Sequence, residues 1–488
     1  MTRPHATHAR ATDAAALWDP RCEAMSPSQL HETVELPRLR QQLRHAVRHS
    51  PFWRDRFAAA GLTAGDFDEH AAHDGATGVV DAPGPARCAG GDGAAVLARL
   101  HTVPLLDKQA LLDDQRADPP YGRLPAVPRA RIRRVHRTSG TTSRPFFALL
   151  TERDIATTVE AGARAFWCAG VRPDDTVVHC LNYCMWSGGV TDHQCLERTG
   201  ATVVPYGVGR SRELVRIIQT LKPTAISCTP SYLYRLAEVL AAEFDVAPAA
   251  LGLRKGLLGG EAGLQHAGTR DALERAWGIE AVDANYGMSD VLSIFGSECA
   301  YRTGLHFHGQ GIILPELIDP HTAAAVPMRA GVVAELVLTH LQREAQPVIR
   351  LRTRDVVKIV GTDACACGRR GPRFVVLGRS DDMLVVNGVN VFPTAFGDVL
   401  AAFPGELTGA YRVAADQGAP CRRVHLKVEV RPTVGSDARA ALARRLQARI
   451  RDTLSVGADI TWVGGGCLER SEGKTRLVEH AVCRAVPP

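Results

Sequence analysis

Between His136 and Pro145 the chain reads His-Arg-Thr-Ser-Gly-Thr-Thr-Ser-Arg-Pro, with Thr138, Ser139, Thr141 and Thr142 around Gly140. Hydroxyls and backbone N–H groups in such a loop can wrap phosphate oxygens, and Arg137 or Arg144 adds charge. The same residue types build ordinary solvated turns, so the segment alone leaves both readings open. It lacks the GK[ST] ending of a P-loop. A second set is metal-ligating. Cys365 and Cys367 are one residue apart just before Gly368, and Cys299 and His306 lie seven apart upstream. Three thiols and an imidazole make a common tetrahedral zinc set, and four protein ligands leave no open position, so the ion expected is structural. His308 is the alternate imidazole, and reduced thiols beside an unrelated Cys and His are the competing reading. A nucleic-acid-binding zinc ribbon is not expected, because the sequence holds no second CxxC pair.

Such residues need a scaffold. From about Val135 to Val360, short β-branched runs alternate with helical segments. VVHC at 177–180, TVVPY at 202–206 and AISC at 225–228 read as buried strands; ELVRIIQTL and YLYRLAEVL read as amphipathic helices. The alternation predicts a layered α/β architecture with a largely parallel sheet. Upstream, Ser26-Pro27-Ser28-Gln29 has the form of a capping box, and Leu39, Leu43 and Val47 recur at helical spacing before Pro51-Phe52-Trp53 ends the region. Residues 66–100, rich in Gly, Ala, Asp and Pro, read as a loop or poorly ordered insertion. The pattern changes after Gly378. VHLKVEV at 424–430 alternates as a half-exposed strand, and Leu442, Leu446, Ile450 and Leu454 stripe a helix capped near Ser436. The division expected is 1–378 for a large layered domain and 379–488 for a smaller α+β domain.

Composition narrows the function. The 488 residues are 45% hydrophobic and 23% charged, which is globular. A net charge of +6 is spread over 58 basic and 52 acidic residues without a long basic run, so nucleic acid is not an expected partner. No apolar stretch reaches membrane-spanning length, and the Ala-, Thr- and His-rich start has no signal core; its first ~15 residues are expected to be disordered. Thirteen cysteines in so long a chain do not form a secreted disulfide pattern, so a cytoplasmic protein with reduced thiols is expected.

Further segments follow the hydroxyl loop in order: Gly259-Gly260-Glu261-Ala262, Asn285-Tyr286-Gly287-Met288-Ser289-Asp290, Arg350-Leu351-Arg352-Thr353-Arg354-Asp355, Gly378-Arg379-Ser380-Asp381-Asp382-Met383 and Arg470-Ser471-Glu472-Gly473-Lys474. Together they resemble the adenylate-forming superfamily and span nearly the whole chain. The resemblance implies that fold, with a mobile C-terminal domain. It implies ATP and AMP binding by Thr138, Ser139, Gly140, Thr141, Thr142 and Arg144. Gly260 and Glu261 would line the adenine, Tyr286 would stack on it with Gly287 also at the nucleotide, Asp355 would accept from the ribose hydroxyls, and Arg379 would contact ribose or phosphate. Ser289 would touch the α-phosphate, Asp290 would hold Mg²⁺, Asp381 would be the hinge, and Lys474 would bridge carboxylate and α-phosphate. The sequence departs from the pattern at Ser143, where Gly is usual, and at Asp290, where Glu is usual.

Ser380-Asp-Asp-Met-Leu-Val-Val-Asn-Gly-Val-Asn-Val-Phe-Pro393, Thr229-Pro230-Ser231-Tyr232, Glu344–Arg350, Trp53 and Pro104-Leu-Leu-Asp-Lys108 are similar to the phenylacetate–CoA ligase group. Many members of that family carry the same Cys299, His306, Cys365 and Cys367 set, some with zinc. The group's aryl pocket would fall at Tyr183, Met185, Trp186, Tyr232 and Gly259, although core packing is an equal reading of that stripe. The activity implied is ATP-dependent activation of an aryl or arylacetic acid to acyl-AMP, followed by thioester formation with coenzyme A, in a protein that could be a homodimer. Asn387 replaces the usual Arg of a loop that turns inward for the thioester step. It keeps open a different acceptor: a carrier-protein thiol, an amine or nitrite. A non-catalytic nucleotide-binding relative is the reading from another class.

Overall fold

The computed structural model describes residues 17–68, 90–138, 145–261, 264, 267–386, 389–415, 423–468 and 477–480. The expectation for residues 1–15 falls outside these. Twelve strands form the main sheet. Its first half is parallel, in the spatial order Thr202–Pro205, Thr176–His179, Ala225–Cys228, Lys255–Gly259 and Glu280–Met288. The helices Ser187–Arg198, Ser211–Leu221, Pro230–Glu243 and Ala267–Trp277 make its crossovers. From there the sheet continues antiparallel through Leu292–Ser297, Leu305–Phe307, Arg373–Arg379, Leu351–Gly361, Val333–His340, Ile313–Ile318 and Ala325–Val326. The sheet is therefore mixed rather than largely parallel. After Met288 no crossover helix intervenes, and strands joined by short connections pair antiparallel.

The N-terminal elements cover this sheet. Ser26 caps its short helix with the expected box. Helix Leu36–His49 buries Leu39 and Leu43 completely, each contributing about 2 kcal/mol by removal of apolar surface from water. Pro51 does not end the helical region; it opens a second helix, Pro51–Ala59, capped by Ser50, because proline at the first turn forfeits no hydrogen bond. The insertion expected over 66–100 is also corrected in part. Residues 69–89 lie outside the described residues, but Gly90–Thr102 is helical and buries Val96 and Leu100 one turn apart. Its glycine-rich first turn hid that periodicity.

Beyond Arg379 a hairpin, Leu384–Val386 with Val389–Val391, leads into a four-stranded sheet ordered Ala458–Val463, Val424–Val430, Leu407–Ala415, Val478–His480. Helix Ser436–Leu454 packs Leu442, Leu446 and Ile450 on it, forming a separate core with Phe396, Val413 and Val428. The N-cap residue is Gly435, with no side-chain cap bond, and Ser436 Oγ donates to Asp437 Oδ1 at 3.1 Å.

Candidate active site

Three distant strands meet at one carboxylate. Tyr286 donates its hydroxyl to Asp355 Oδ2 at 2.7 Å, and Arg379 Nη1 lies 3.7 Å from Asp355 Oδ1. Register explains the meeting: Asp355 and Arg379 are cross-strand partners. The Tyr286 ring makes edge contacts with Phe295 and Phe374, at centroid distances of 5.1 and 5.4 Å. Burial, reinforced by the Asp355 charge, raises its phenol well above the usual value. The Arg379 guanidinium is meanwhile forked onto Asp381, through Nε at 2.8 Å and Nη2 at 2.7 Å. Both partners of that fork are about half exposed, so it is a weak latch.

The other end of the 285–290 segment faces a helix N-terminus. Ser289 Oγ is 2.6 Å from Ser187 Oγ, in the first turn of helix Ser187–Arg198. Asp290 takes Lys108 Nζ on Oδ2 at 2.9 Å, while its buried Oδ1 has no partner among the described residues. Gly287 carries no side chain because a Cβ there would run into the Ser293 carbonyl.

The pocket residues divide. Trp186 lies between two glycines: its ring stands about 2.9 Å from where a Cβ on Gly188 would be, and 3.5 Å from the same point on Gly260. Gly260 is at φ +78°, a conformation natural to glycine. Gly259 backs directly onto Asn285. Glu261 accepts Ser231 Oγ at 2.7 Å, at the start of helix Pro230–Glu243. Tyr183 bonds His193 Nδ1 through its hydroxyl at 2.9 Å, and Met185 is exposed. Tyr232 does not join them; it is buried in the core of the parallel half with its hydroxyl 3.4 Å from Ser211 Oγ. Thr138 follows the strand Ile132–Arg137, and its buried Oγ1 has no partner among the described residues. Ser139, Gly140, Thr141, Thr142, Ser143 and Arg144 lie outside the described residues, as do Asn387 and Lys474.

Sequence reasoning missed three side chains here. Lys108 entered only as part of a resemblance, yet it is the partner of Asp290. His136 is buried with Nε2 2.9 Å from Thr191 Oγ1 and Nδ1 3.2 Å from the Met185 carbonyl. Burial pushes it down to about 4, so it is a neutral link between the phosphate-loop strand and the pocket segment. Asp192 is wholly buried, and burial pushes its carboxyl up to about 7 against the bonds from Ser293 and Asn285. Lys108 and His136 stood in quoted segments without a role of their own, and Asp192 had no local signal.

The metal-ligating set converges. The ligand atoms of Cys299, His306, Cys365 and Cys367 all lie within 4.8 Å of one another. His306 Nε2 stands 3.3 Å from Cys299 Sγ and 3.5 Å from Cys367 Sγ, and the Cys299 and Cys365 sulfurs are 3.9 Å apart. Tetrahedral zinc with bonds of about 2.3 Å to sulfur and about 2.05 Å to nitrogen requires edges of about 3.8 and 3.6 Å, so the donor set fits that ion. Gly368, at φ +88°, turns the knuckle. His308 stands outside the set, bonded through Nε2 to Ser297 Oγ at 2.8 Å.

Family models describe the same two regions. One for AMP-binding enzymes matches residues 95–340, and one for the AMP-binding enzyme C-terminal domain matches 388–481. The chain belongs to the AMP-binding enzymes, with the adenylate-forming fold. Within them it is a phenylacetate–CoA ligase-like member. It is 31% identical to the phenylacetate-coenzyme A ligase of Escherichia coli, over 91% of this chain and 93% of that one. It is 35% identical to the Thermus thermophilus ligase of the same name, over 77% and 86%. A solved 2-hydroxyisobutyryl-CoA ligase in the postadenylation state, in complex with 2-HIB-AMP, superposes with a TM-score of 0.81 at 27% identity, covering 98% of this chain and 94% of that one. Against the same ligase in the thioesterification state, with 2-HIB-AMP and CoA, the TM-score is 0.65 at 28% identity, with 98% and 95% covered. The arrangement described above is thus more similar to the postadenylation one.

Proposed function

We propose that the protein converts an aromatic carboxylic acid, of aryl or arylacetic type, and ATP into an acyl-adenylate and pyrophosphate, then passes the acyl group to coenzyme A. The observation that carries this reading is the convergence of Tyr286, Asp355 and Arg379, from strands far apart in sequence, in a chain of the AMP-binding family.

A carboxylate is a poor electrophile. In the first step one of its oxygens bonds to the α-phosphorus of ATP, and the bond to the bridging oxygen breaks with its electron pair leaving on pyrophosphate. In the second, the CoA sulfur bonds to the acyl carbon, AMP departs with the C–O electron pair, and the thiol proton is released. Positioning two anions together and stabilising charge on the transferring phosphoryl group is what the enzyme must supply. Asp355 is the ribose acceptor in this reading, Tyr286 and the Gly259–Glu261 segment flank the base, and Ser289 meets the α-phosphate. The hydroxyl loop and Lys474 are assigned to the phosphates and the reacting carboxylate by their motifs alone. Asp290 would hold Mg²⁺, which supplies charge neutralisation of the phosphates; an oxygen without a partner among the described residues suits that role. Arg379 would exchange Asp381 for nucleotide, and that exchange fits Asp381 as the pivot between 1–378 and 379–488. The difference in similarity to the two states of the hydroxyisobutyryl ligase supports a pivoting small domain. Cys299, His306, Cys365 and Cys367 would hold a structural zinc.

The test is incubation with MgATP, CoA and a panel of aromatic acids, followed by mass spectrometry. AMP together with an acyl-CoA is expected for at least one acid. Adenylate without thioester when CoA is present would move the acceptor to a carrier thiol, an amine or nitrite, and no acid-dependent AMP would reject the reading.

A further inference from the structure

Helix Ser187–Arg198 carries a polar face that no catalytic motif explains. Ser187, Thr191 and Asp192 sit on it at helical spacing and bond to Ser289, to His136 and to the pair Asn285 and Ser293. Asp192 has no exposed surface. One of its oxygens accepts Ser293 Oγ–H at 2.6 Å, and the other accepts the Asn285 amide. Asn285 immediately precedes Tyr286, and Ser293 lies on the next strand, whose backbone closes over Gly287.

We propose that Asp192 is a positioning residue for nucleotide binding, fixing the 285–290 segment against helix Ser187–Arg198 through Asn285 and Ser293. A buried carboxyl is costly to desolvate, and an apolar trio of the same volume would be at least as stable. Stability therefore does not account for the trio, whereas register does. The Asn285 amide is tied to Asp192, so the backbone on either side of it is held in position relative to the pocket helix. Tyr286 and Asp290, at opposite ends of the segment, inherit that position. The proposal rests on the reading of 285–290 as nucleotide-binding.

The test measures ATP binding by calorimetry in the absence of acid, so it does not need turnover. Asp192→Leu keeps the branched shape, though it is bulkier, and strands both donors; ATP affinity should fall about tenfold with the acid KM in ATP–pyrophosphate exchange changed less than about twofold. Asp192→Asn can still accept from Asn285 through its oxygen and donate to Ser293, which rotates, so affinity should return to within about threefold of the parent. Ser293→Ala removes one donor and keeps the test alive if Asp192→Leu does not fold; an intermediate loss is expected. Unchanged ATP affinity in folded Asp192→Leu or Ser293→Ala overturns the proposal, as does an equal loss in Asp192→Asn. A parent protein that binds ATP but shows no acid-dependent exchange contradicts the functional reading instead, and one that binds no ATP contradicts both.

Discussion

Removing the metal from the Cys299, His306, Cys365 and Cys367 knuckle tests how the fold is tied together. The knuckle joins the strand Leu305–Phe307 to the loop after strand Leu351–Gly361, and the N-terminal segment straps over it. Arg369 Nε bonds buried Glu23 at 3.0 Å, and the Arg370 amide donates to the Glu23 carbonyl at 2.8 Å. These strands are already placed by the sheet, so apo protein should keep its fold and lose only the linkage term. At about a thousandfold excess of free zinc over its dissociation constant that term is about 4 kcal/mol. At about 2 °C per kcal/mol for a unit of this size, chelation should lower Tm by ~8 °C. The assay is mass-spectrometric metal analysis of protein purified with zinc present, then calorimetric scans with and without a chelator, and re-addition of zinc. About one zinc per chain and a reversible drop are expected. His306→Ala should lose the ion, while His308→Gln should keep it, because His308 is engaged by Ser297. A chain with well under one zinc and a chelator-insensitive Tm would refute the reasoning.

Asp355→Ala leaves the Tyr286 hydroxyl and Arg379 without their shared acceptor. It should lower kcat/KM for ATP in pyrophosphate exchange by about 100-fold, or ~2.7 kcal/mol. Lys474→Ala should abolish acid-dependent pyrophosphate release while thioester formation from supplied acyl-adenylate survives; equal loss of both would contradict its assignment. Acid should destabilise the fold through three buried histidines. Burial holds His136 and His179 down to about 4 and His340 to about 3. The unfolded chain binds these protons near pH 6.5 and the native chain does not, so their stabilisation is complete above pH 6.5 and is lost as pH falls toward 4. Near pH 5 these three groups contribute a slope of about 4 kcal/mol per pH unit. Asp192 and Asp283, raised to about 7 by burial, act in the opposite sense over the same range, so the histidine contribution is read as the difference in unfolding free energy between the parent and His179→Gln. That difference should shrink by about 1 kcal/mol per pH unit near pH 5, and a difference constant from pH 7 to 5 would contradict this.

What the sequence made legible has a physical pattern. Motifs of consecutive residues, such as Asn285–Asp290 and Arg350–Asp355, could be read because their residues are neighbours in the chain and carry the resemblance together. The parallel strands were readable as β-branched runs bounded by helices. The partners of these motifs were not readable. Lys108 meets Asp290 across 182 positions, and Asp192 meets Asn285 across 93. Such pairs are made by a helix crossing the sheet, which leaves no periodic trace. The antiparallel half was missed because its strands, Val333–His340 among them, are nearly continuous buried runs. That pattern does not distinguish strand direction. Tyr232, a pocket residue by resemblance, packs in the core of the parallel half.

The most direct measurement is ATP–pyrophosphate exchange with an aromatic acid present and CoA left out. Labelled pyrophosphate should enter ATP only when the acid is added, with the exchange lost in Asp355→Ala. Exchange that is absent for every carboxylic acid tried, or that runs equally without one, would contradict the claim that these converging segments serve to join a carboxylate to AMP.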